Sequence, residues 1–544
     1  RRLGEAGPSE HDLERVRTIF RARWARRLES TEGRASAFAA AEALGGVGLL
    51  DAEYERLLSV DADAVGRAAR EWLDPAAIAA VAYLPEGLGE GLDAARLRDA
   101  FTGGRRQPPV AVEVAAPAPP RPVPVRGAAT SGVFHAALPG ADILVGRKPG
   151  VPLVSLGVYR RRTVPEPRTS AGLGALAMRS AVRGAGDLDA TALALSFERL
   201  GGGLTPMIAA DWSGFGTSVL SEHAGRAATL LERVLVRPRF DSGEVSLERT
   251  TLAEEALHAA DDMVRFPIQL ALGAAFGDRG YGVPSHGLPE TVPTLTEAMV
   301  RAWHACELAT GRTTVVAVGD VEPERLAGQL AGIFGGGTAR PTATAPAEAA
   351  WQGGVGGTAP SVVPRAKRQT AMAMFFPGPS RHDPRRYTAE VWAAIAGGLG
   401  GRLFGALRDR RSLAYTVMAS SWQRAGAGGL LLYLATSPER EEEAEAALLD
   451  ELALFRDLEP AADEVARAVS YLAGQAQVRR QTGTAVAAEI AEAWLMGDGL
   501  DELAEPALGF RRVTAVMIRE LAAECLDPAR RVLGIVRGGA APAG

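Results

Sequence analysis

The chain has 544 residues, of which 47% are hydrophobic and 23% are charged, so it is long enough for three to four globular domains with buried cores. Its formal net charge of −5 and its pI of about 6.0 argue against nucleic acid or an anionic membrane surface as the main partner. The two cysteines, Cys306 and Cys525, imply neither a disulfide framework nor a zinc ribbon, and they leave the redox compartment open. No apolar run approaches the roughly 18 residues that a membrane-spanning helix needs.

The beginning of the chain resembles its end, because residues 13–86 match residues 465–538. In both copies an Ala-rich helical segment precedes a Leu-Asp-Pro sequence, and a short apolar strand is predicted to follow, at 77–84 and at 531–536. Two similar segments so far apart indicate a tandem duplication of a large unit. The second copy ends a complete domain, so residues 1–86 are predicted to be the back half of a domain whose front half is missing from the chain. The alternative is a small independent helical domain.

Two linkers separate the remaining blocks. Residues 87–132 are rich in Pro and are predicted to form an extended, semi-rigid connector, and residues 335–368 are predicted to form a second connector. The blocks are residues 133–334 and residues 369–544. In the first block the predicted elements follow the order β-β-α-β-β-α-α-α-β. This order predicts an α+β fold, in which helices pack on one face of a mainly antiparallel sheet.

Several elements of the two blocks have clear boundaries in the sequence. Helical periodicity predicts helices at 224–235, 246–263 and 324–334. Runs of apolar residues predict strands at 313–319 and at 370–376. Each block therefore combines strands and helices of its own.

A glycine-rich segment in the last block carries the most specific motif of the sequence. The run from Gly398 to Tyr415 resembles the Gly-Gly-x-x-x-Arg-Leu-Phe-x-x-Leu-Arg-x-x-x-x-Leu-x-Tyr signature of the M16 family, the zinc metallopeptidases that include pitrilysin, insulinase and the processing peptidases. Shorter motifs in family order extend this resemblance over almost the entire chain outside the linkers. The resemblance implies repeated M16-type domains.

In that family, the residues that correspond to Arg408 and Tyr415 reach from one half of the peptidase into the zinc site of the other half. The resemblance implies that Arg408 and Tyr415 hold the substrate carbonyl and its developing oxyanion. A phenol with a reference pKa of about 10 still donates a hydrogen bond at neutral pH, and a guanidinium adds a fixed positive charge. The alternative is that Arg408 is a solvated helix residue beside Arg410 and Arg411, and that Tyr415 only begins a buried strand.

Residues 172–184 have the frame of the family's zinc-binding helix without its ligands. Ala175, Met178 and Arg179 stand where the family has the His, Glu and His of its His-x-x-Glu-His motif. Glu255, which lies 76 residues after Arg179, corresponds to the third ligand of the family. A single carboxylate does not hold zinc, so we expect no metal in this chain and no peptide hydrolysis by the chain alone. The alternative is that Glu255 is only one acid of an acidic helix.

Arg179 indicates a structural replacement for the metal ion. An unpaired buried carboxylate is costly, and a guanidinium binds a carboxylate through two parallel hydrogen bonds. We therefore predict an ion pair between Arg179 and Glu255 that makes this domain independent of metal. Glu254 is the expected partner if the helix register differs by one residue.

Two functions fit these residues. In the first, the chain closes the peptide chamber of an M16 metalloendopeptidase and supplies Arg408 and Tyr415, while zinc lies in the missing N-terminal half or in a partner subunit. In the second, the chain is a non-catalytic homologue that acts as a scaffold or assembly subunit. The first is favoured because Arg408 and Tyr415 are present beside a degenerate metal helix. The expected partners are a zinc-bearing half and unfolded peptides, in the bacterial periplasm or, alternatively, in the cytoplasm.

Overall fold

The computed structural model describes residues 2–73, 77–84, 93–102, 118, 120–309, 311–336, 351, 359–398 and 400–539. The chain forms two compact units. The first contains Arg1–Ala116 and Ala194–Gly203, and the second contains Pro117–Leu193 and Leu204–Gly544. In the part of the chain that is described, no single helix is long and apolar enough to cross a membrane, although one bent pair, Thr31–Leu44 with Leu49–Ser59, meets the criteria of length and composition.

The described regular secondary structure of residues 2–102, which lie in the first unit, is helical. Its helices α1–α6 are Arg2–Ala6, Glu10–Glu29, Thr31–Leu44, Leu49–Ser59, Ala62–Trp72 and Ala94–Thr102. The side chains of Ser9, Ser30 and Asp61 each accept a hydrogen bond from a backbone N–H in the first turn of the following helix. These N-caps explain where α2, α3 and α5 begin.

The order of these helices agrees with the internal repeat, because α3 and α5 have counterparts at Gly483–Met496 and Ala515–Cys525. The predicted strand at 77–84 is wrong, since these residues form no strand and the side chains of Val81 and Tyr83 are almost fully exposed. A strand is stable only when a neighbouring strand binds its backbone groups, and the described residues of the first unit contain no other strand. The end of the preceding Leu-Asp-Pro sequence lies outside the described residues.

The second unit contains two α+β blocks, and the first is built on a seven-stranded sheet. The strands β1–β9 are Ala128–Thr130, Val133–Ala137, Ala141–Arg147, Leu153–Arg161, Gly184–Ala185, Leu188–Asp189, Thr205–Ile208, Trp212–Leu220 and Thr313–Gly319. The sheet order is β1-β2-β3-β9-β4-β8-β7, and only β3 and β9 are parallel, while β5 and β6 form a separate pair. Helices α7–α13 in this part of the chain are Leu173–Ala181, Ala190–Glu198, Ala224–Val236, Ser242–Asp261, Arg265–Phe276, Glu297–Glu307 and Pro323–Phe334.

The second block is built on a five-stranded sheet. Strands β10–β14 are Ser361–Pro364, Thr370–Pro377, Thr416–Gln423, Gly428–Thr436 and Val532–Arg537. Their order is β10-β14-β11-β13-β12, and only β10 and β14 are parallel. Helices α14–α19 are Arg386–Ala396, Glu441–Asp457, Ala462–Arg479, Gly483–Met496, Leu508–Arg511 and Ala515–Cys525. Both sheets are mainly antiparallel, so the predicted α+β class is confirmed.

Parts of the predicted linkers have regular structure. Within 335–368, residues 361–364 form β10, although 337–350 and 352–358 lie outside the described residues. Within 87–132, residues 94–102 form α6 and residues 128–130 form β1. Both predicted connectors therefore contribute elements to the neighbouring structure.

Each of the two large sheets is also covered by a helix that comes from the other block. Helix α17 packs on β4 and β9, where Ile490 belongs to the same buried cluster as Val316. Helix α11 packs on β11 and β14, where Ala271 contacts the cluster of Phe375. Gly534 allows this close approach, because a Cβ there would lie 2.1 Å from the carbonyl oxygen of Pro267. The sequence predicted helices on one face of each sheet. Helices α11 and α17, each from the other block, cover part of the opposite face.

Candidate functional site

A buried carboxylate positions the start of α7, the helix that the sequence predicted to correspond to the family's zinc-binding helix. Oε1 of Glu166 accepts a hydrogen bond from the N–H of Gly172 at 2.7 Å, and Oε2 pairs with Nη2 of Arg162 at 2.8 Å. Gly172 has a φ of 93°, and a Cβ there would lie 2.8 Å from the Cα of Gly287. Glycine is therefore required where α7 begins.

Two of the three motif positions on α7, those predicted to correspond to the first zinc ligand and to the general base of the family, carry buried apolar side chains. Ala175 is 5% exposed and Met178 is 1% exposed. The methyl group of Ala175 cannot bind a metal ion, and the thioether of Met178 cannot take a proton from a water molecule as a carboxylate does. Among the residues that the structure describes, no group of three or more His, Cys, Asp and Glu side chains could hold a metal ion.

Arg179 stands at the position of the second histidine of the motif and points to the facing helix α10. Its Nη1 lies 2.7 Å from Oε2 of Glu255, so the predicted ion pair between these two residues is confirmed. The expected register is also correct, because Glu255 rather than Glu254 is the partner. Helix α7 is thus joined to α10 by a guanidinium and a carboxylate.

Glu248 is a second carboxylate in this cluster, and the sequence analysis missed its role. Its Oε2 lies 2.8 Å from Nε of Arg179, and its Oε1 lies 2.5 Å from Nη2 of Arg183. The side chain of Glu248 is 5% exposed, whereas that of Glu255 is 50% exposed. The sequence could have indicated this role, because Glu248 and Glu255 are seven residues apart. This spacing places them on the same face of α10, two turns apart.

The electrostatics of this cluster keep Arg179 charged. Partial burial would lower the pKa of Arg179, but the hydrogen bonds to Glu255 and Glu248 outweigh that burial and raise it. The guanidiniums of Arg179 and Arg183 face the carboxylates of Glu248 and Glu255, and a carboxylate oxygen of Glu244 lies 4.0 Å from Nε of Arg183. A guanidinium neither polarises a carbonyl as a Lewis acid nor lowers the pKa of a water molecule as zinc does. The cluster is therefore suited to holding two helices together.

Arg408 lies on the π-helical turn Phe404–Arg410, between two aromatic rings. Its Cζ lies 4.6 Å from the centre of the Phe404 ring and 5.0 Å from the centre of the Tyr415 ring. Both distances are within the range of cation–π interactions, which hold the guanidinium without neutralising its charge. The two residues of the sequence motif, Arg408 and Tyr415, are therefore in contact with each other.

Arg408 also differs from its neighbours in the charged groups around it. Arg410 lies 3.5 Å from a carboxylate oxygen of Glu451, and Arg411 lies 3.8 Å from one of Asp450. Arg408 has no carboxylate partner among the described residues. Its guanidinium is thus available to bind an acceptor from another molecule.

Tyr415 is exposed rather than buried at the beginning of β12. Its side chain is 72% exposed, and its hydroxyl has no hydrogen-bond partner in the part of the chain that is described. A hydroxyl of this kind can donate to a carbonyl oxygen or an oxyanion. The interpretation of Tyr415 as the first residue of a buried strand does not fit this position.

A bidentate ion pair holds the beginning of the turn that carries Arg408. Nε and Nη2 of Arg402 lie 2.8 Å and 2.5 Å from the two carboxylate oxygens of Glu464, which also accepts a hydrogen bond from the N–H of Ala461. The hydrogen bond from Arg402 holds the pKa of Glu464 below its ordinary value. Arg402 lies within the motif from Gly398 to Tyr415, but the motif does not predict this partner, which lies 62 residues away.

Arg408 and Tyr415 line two neighbouring cavities of about 640 Å³ and 490 Å³. The larger cavity has mostly apolar walls, and it is also lined by Phe404, residues 416–420 of β12, Leu431 and Tyr433. Among the described residues, no hydrogen bond, ion pair or ring contact joins Arg408 or Tyr415 to the cluster of Arg179. The structure therefore brings together each of the two predicted pairs, but not the two pairs with each other.

Comparison with known proteins gives consistent matches. Residues 294–472 match the family described as peptidase M16 inactive domain. The chain is 27% identical over 318 residues to a protein named uncharacterized zinc protease from Mycobacterium leprae, which covers 58% of this chain and 72% of that protein.

Solved structures match the fold over a longer part of the chain. The crystal structure of a peptidase M16 inactive domain from Pseudomonas fluorescens covers 75% of this chain and 98% of its own, with a TM-score of 0.66 and 20% identity. A chain of complex III2 from Candida albicans covers 74% of this chain and 96% of its own, with a TM-score of 0.62 and 16% identity. At these identities the two structures establish a common fold.

Proposed function

We propose that this chain is the metal-free half of an M16 zinc peptidase, because residues 294–472 match the family described as peptidase M16 inactive domain. In this role it closes the peptide chamber and supplies Arg408 and Tyr415 to a zinc site on another half. That half belongs either to the same longer protein or to a partner subunit. The substrates are unfolded peptides, which the chamber admits in an extended conformation.

One observation carries the proposal: Arg408 and Tyr415 contact each other, and neither side chain has a hydrogen-bond or ion-pair partner among the described residues, while Arg179 stands at a predicted ligand position on α7. Arg408 keeps its charge unpaired by any described carboxylate, and the Tyr415 hydroxyl is free to donate. A residue kept only for the stability of the fold is normally packed or paired. The arrangement therefore supports a division of labour between two halves.

The geometry suggests how the pair acts on a peptide. The Tyr415 hydroxyl donates a hydrogen bond to the carbonyl oxygen of the scissile bond, and the Arg408 guanidinium lies beside it. Both interactions strengthen as negative charge develops on that oxygen, so they lower the barrier more than they stabilise the bound substrate. The rings of Phe404 and Tyr415 hold the guanidinium in place before the substrate arrives. Zinc, in the other half, would supply the activated water.

The second candidate function is that of a scaffold. The ion-paired cluster of Arg179, Glu248 and Glu255 supports it, because a domain stabilised in this way needs no metal and no catalytic partner. The fold shared with a chain of complex III2 is compatible with such a role. The two candidates differ in the importance of Arg408 and Tyr415, which a scaffold does not require.

Reconstitution tests the proposal. The purified chain is mixed with an M16 half that carries an intact His-x-x-Glu-His motif, and hydrolysis of a fluorogenic peptide is measured with and without a chelator. We expect no activity from the chain alone and chelator-sensitive activity from the mixture, above that of the catalytic half by itself. A mixture that is no more active than the catalytic half supports the scaffold function instead.

A further inference from the structure

Helices α2 and α16 correspond to each other in the internal repeat. Each is followed by a helix of 14 residues, α3 after α2 and α17 after α16. The N-caps of these two following helices, Ser30 and Thr482, each accept a hydrogen bond from the backbone N–H three residues later. Aligning Ser30 with Thr482 therefore assigns to each residue of α2 its counterpart on α16.

One face of α2 binds residues 194–203, which belong to the same compact unit and include the end of α8. Nη1 of Arg15 lies 2.5 Å from Oε2 of Glu198, and Nη2 of Arg26 donates a hydrogen bond to the carbonyl oxygen of Gly201. Arg15 and Arg26 are about three helical turns apart, so they mark one face of the helix. This face therefore contacts the end of α8 and the glycine turn that follows it.

Thr18 and Ala22 occupy the turns between these two arginines, on the same face of α2. They are 6% and 0% exposed. Among the described residues of α16, Ala468 alone is buried. The counterparts of the four residues on the face of α2 are all exposed, and they are Arg467, Ser470, Gly474 and Val478. The face that is covered on α2 is thus bare on α16.

The two faces also resemble each other in chemistry. An arginine begins each face, Arg15 or Arg467, and a residue with a hydroxyl group follows one turn later. The third position holds a very small residue, Ala22 or Gly474, which lets another backbone approach closely. Among the described residues, Arg467 pairs with no carboxylate except that of Asp463 on its own helix, and both side chains are more than two-thirds exposed. The guanidinium of Arg467 can therefore bind a carboxylate of another molecule.

We infer that the face of α16 formed by Arg467, Ser470, Gly474 and Val478 binds the zinc-bearing half of the peptidase, at a segment like residues 194–203. The inference rests on the proposed function, because it names the surface through which the two halves meet. The segment that binds is the end of a helix with a carboxylate at the position of Glu198, followed by a glycine turn. Arg467 pairs with that carboxylate, and the small residues of the face accommodate the turn.

A second copy of this chain is a poorer occupant of the same face. Its own residues 194–203 are already bound by α2, through the contacts of Glu198 and Gly201. A zinc-bearing half with a block like residues 133–334 brings a further segment of this kind. The face of α16 is therefore assigned to that half.

Reversal of one charge tests the inference with the full chain. The probe is the zinc-bearing half of the reconstitution, chosen to carry Asp or Glu at the position of Glu198, and its association is followed by biolayer interferometry. We expect Arg467→Glu to raise Kd about tenfold, and replacement of the acid on the half by Arg to restore most of the binding. Arg519→Glu makes the same change of charge on α19 and should leave Kd unchanged. Association that ignores Arg467→Glu, or that responds equally to both variants, overturns the inference.

A bulky side chain tests the same face without a change of charge. A Cβ at Gly474 would meet no atom within 4 Å, so Gly474→Leu leaves the fold intact and favours the helix. The leucine should nevertheless obstruct the glycine turn of the half and raise Kd about tenfold. The hydroxyl of Tyr471 accepts a hydrogen bond from Gln475 of the same helix, so Tyr471→Phe should leave Kd unchanged. An unchanged Kd for Gly474→Leu contradicts the assignment to this face.

Two further measurements separate the possible outcomes. Sedimentation velocity of the chain alone should show no dimer, and a dimer that Arg467→Glu dissociates would overturn the assignment to the zinc-bearing half. Peptide hydrolysis is measured in the same mixtures. Association that depends on Arg467 but adds no hydrolysis contradicts the proposed function alone, whereas added hydrolysis with association that ignores Arg467→Glu overturns this inference alone. Failure of the unmodified proteins to associate overturns both.

Discussion

Nη1 of Arg179 on α7 lies 2.7 Å from Oε2 of Glu255 on α10, at two positions that the sequence predicted to correspond to zinc ligands of the M16 family. The same guanidinium also binds Glu248, which is almost completely buried between Arg179 and Arg183. An ion pair of this kind replaces a metal ion as the link between two helices, but it does not replace its chemistry. The stability of the cluster and its independence of metal can therefore be measured apart from any activity.

The two carboxylates of this cluster should contribute unequally to stability. Glu248→Gln leaves two guanidiniums beside a neutral, buried side chain, and we expect a loss of about 3 kcal/mol. Glu255→Gln removes a half-exposed partner, and we expect a loss of about 0.5 kcal/mol. Hydrogen exchange of the amides of α7 and α10 measures the free energy of their local opening. Equal losses in the two variants would show that Glu248 is not the central carboxylate.

The chain by itself should be insensitive to chelators. Because the described residues of α7 and α10 are joined by ion pairs, treatment with EDTA is expected to leave the thermal unfolding midpoint unchanged. Elemental analysis of the untreated protein is expected to find far less than one zinc ion per chain. Stoichiometric zinc that resists dialysis, or a fall in the midpoint on chelation, would contradict this role of Arg179.

Acid should weaken the ion pair between Arg402 and Glu464, at the beginning of the turn that carries Arg408. The pKa of Glu464 is lower in the folded chain than its ordinary value of about 4.5, so this pair stabilises the folded state above that pH. The contribution is lost as the pH falls below about 4.5 and through the folded pKa. We expect Glu464→Gln to lower the thermal unfolding midpoint at pH 6 by more than it does at pH 3.5. A difference that is the same at both pH values would contradict the assignment.

Helix α17 belongs to the second block but should stabilise the sheet of the first block, on which it packs. Ile490 is 1% exposed against the sheet of the first block, and Ile490→Ala is expected to cost about 2–5 kcal/mol. Hydrogen exchange in β4 and β9 should increase accordingly. Val478→Ala on α16, where the side chain is 59% exposed, is the control and should change stability by less than about 0.5 kcal/mol. An unchanged exchange rate in β4 and β9 after Ile490→Ala would show that α17 does not stabilise this sheet.

Local patterns predicted the individual elements well. The strand predicted at 313–319 has these bounds in the structure, and the helix predicted at 224–235 extends by one residue to Val236. Periodicity identifies which face of an element is apolar, but it does not identify what covers that face. The exchange of α11 and α17 therefore could not be derived from the sequence. The strand predicted at 77–84 failed for a related reason, since apolar composition does not supply a pairing partner.

The sequence predicted those residues of the candidate site that lie within a recognised motif. The ion pair between Arg179 and Glu255 followed from the chemistry of a replaced ligand and a remaining carboxylate. Glu248 was missed because it stood among several acids of one helix, and only the structure shows which of them is buried.

The most direct test of the proposed function is the turnover number of the reconstituted peptidase with a single hydroxyl removed. Tyr415→Phe should lower kcat by about 10²–10³, the usual effect of losing one oxyanion donor, with a smaller change in KM. Tyr471→Phe removes the hydroxyl of another exposed tyrosine, on α16 and outside both cavities, and should leave kcat unchanged. If Tyr415→Phe turns over peptide as fast as the unmodified complex, Tyr415 does not stabilise the transition state and the central claim is wrong.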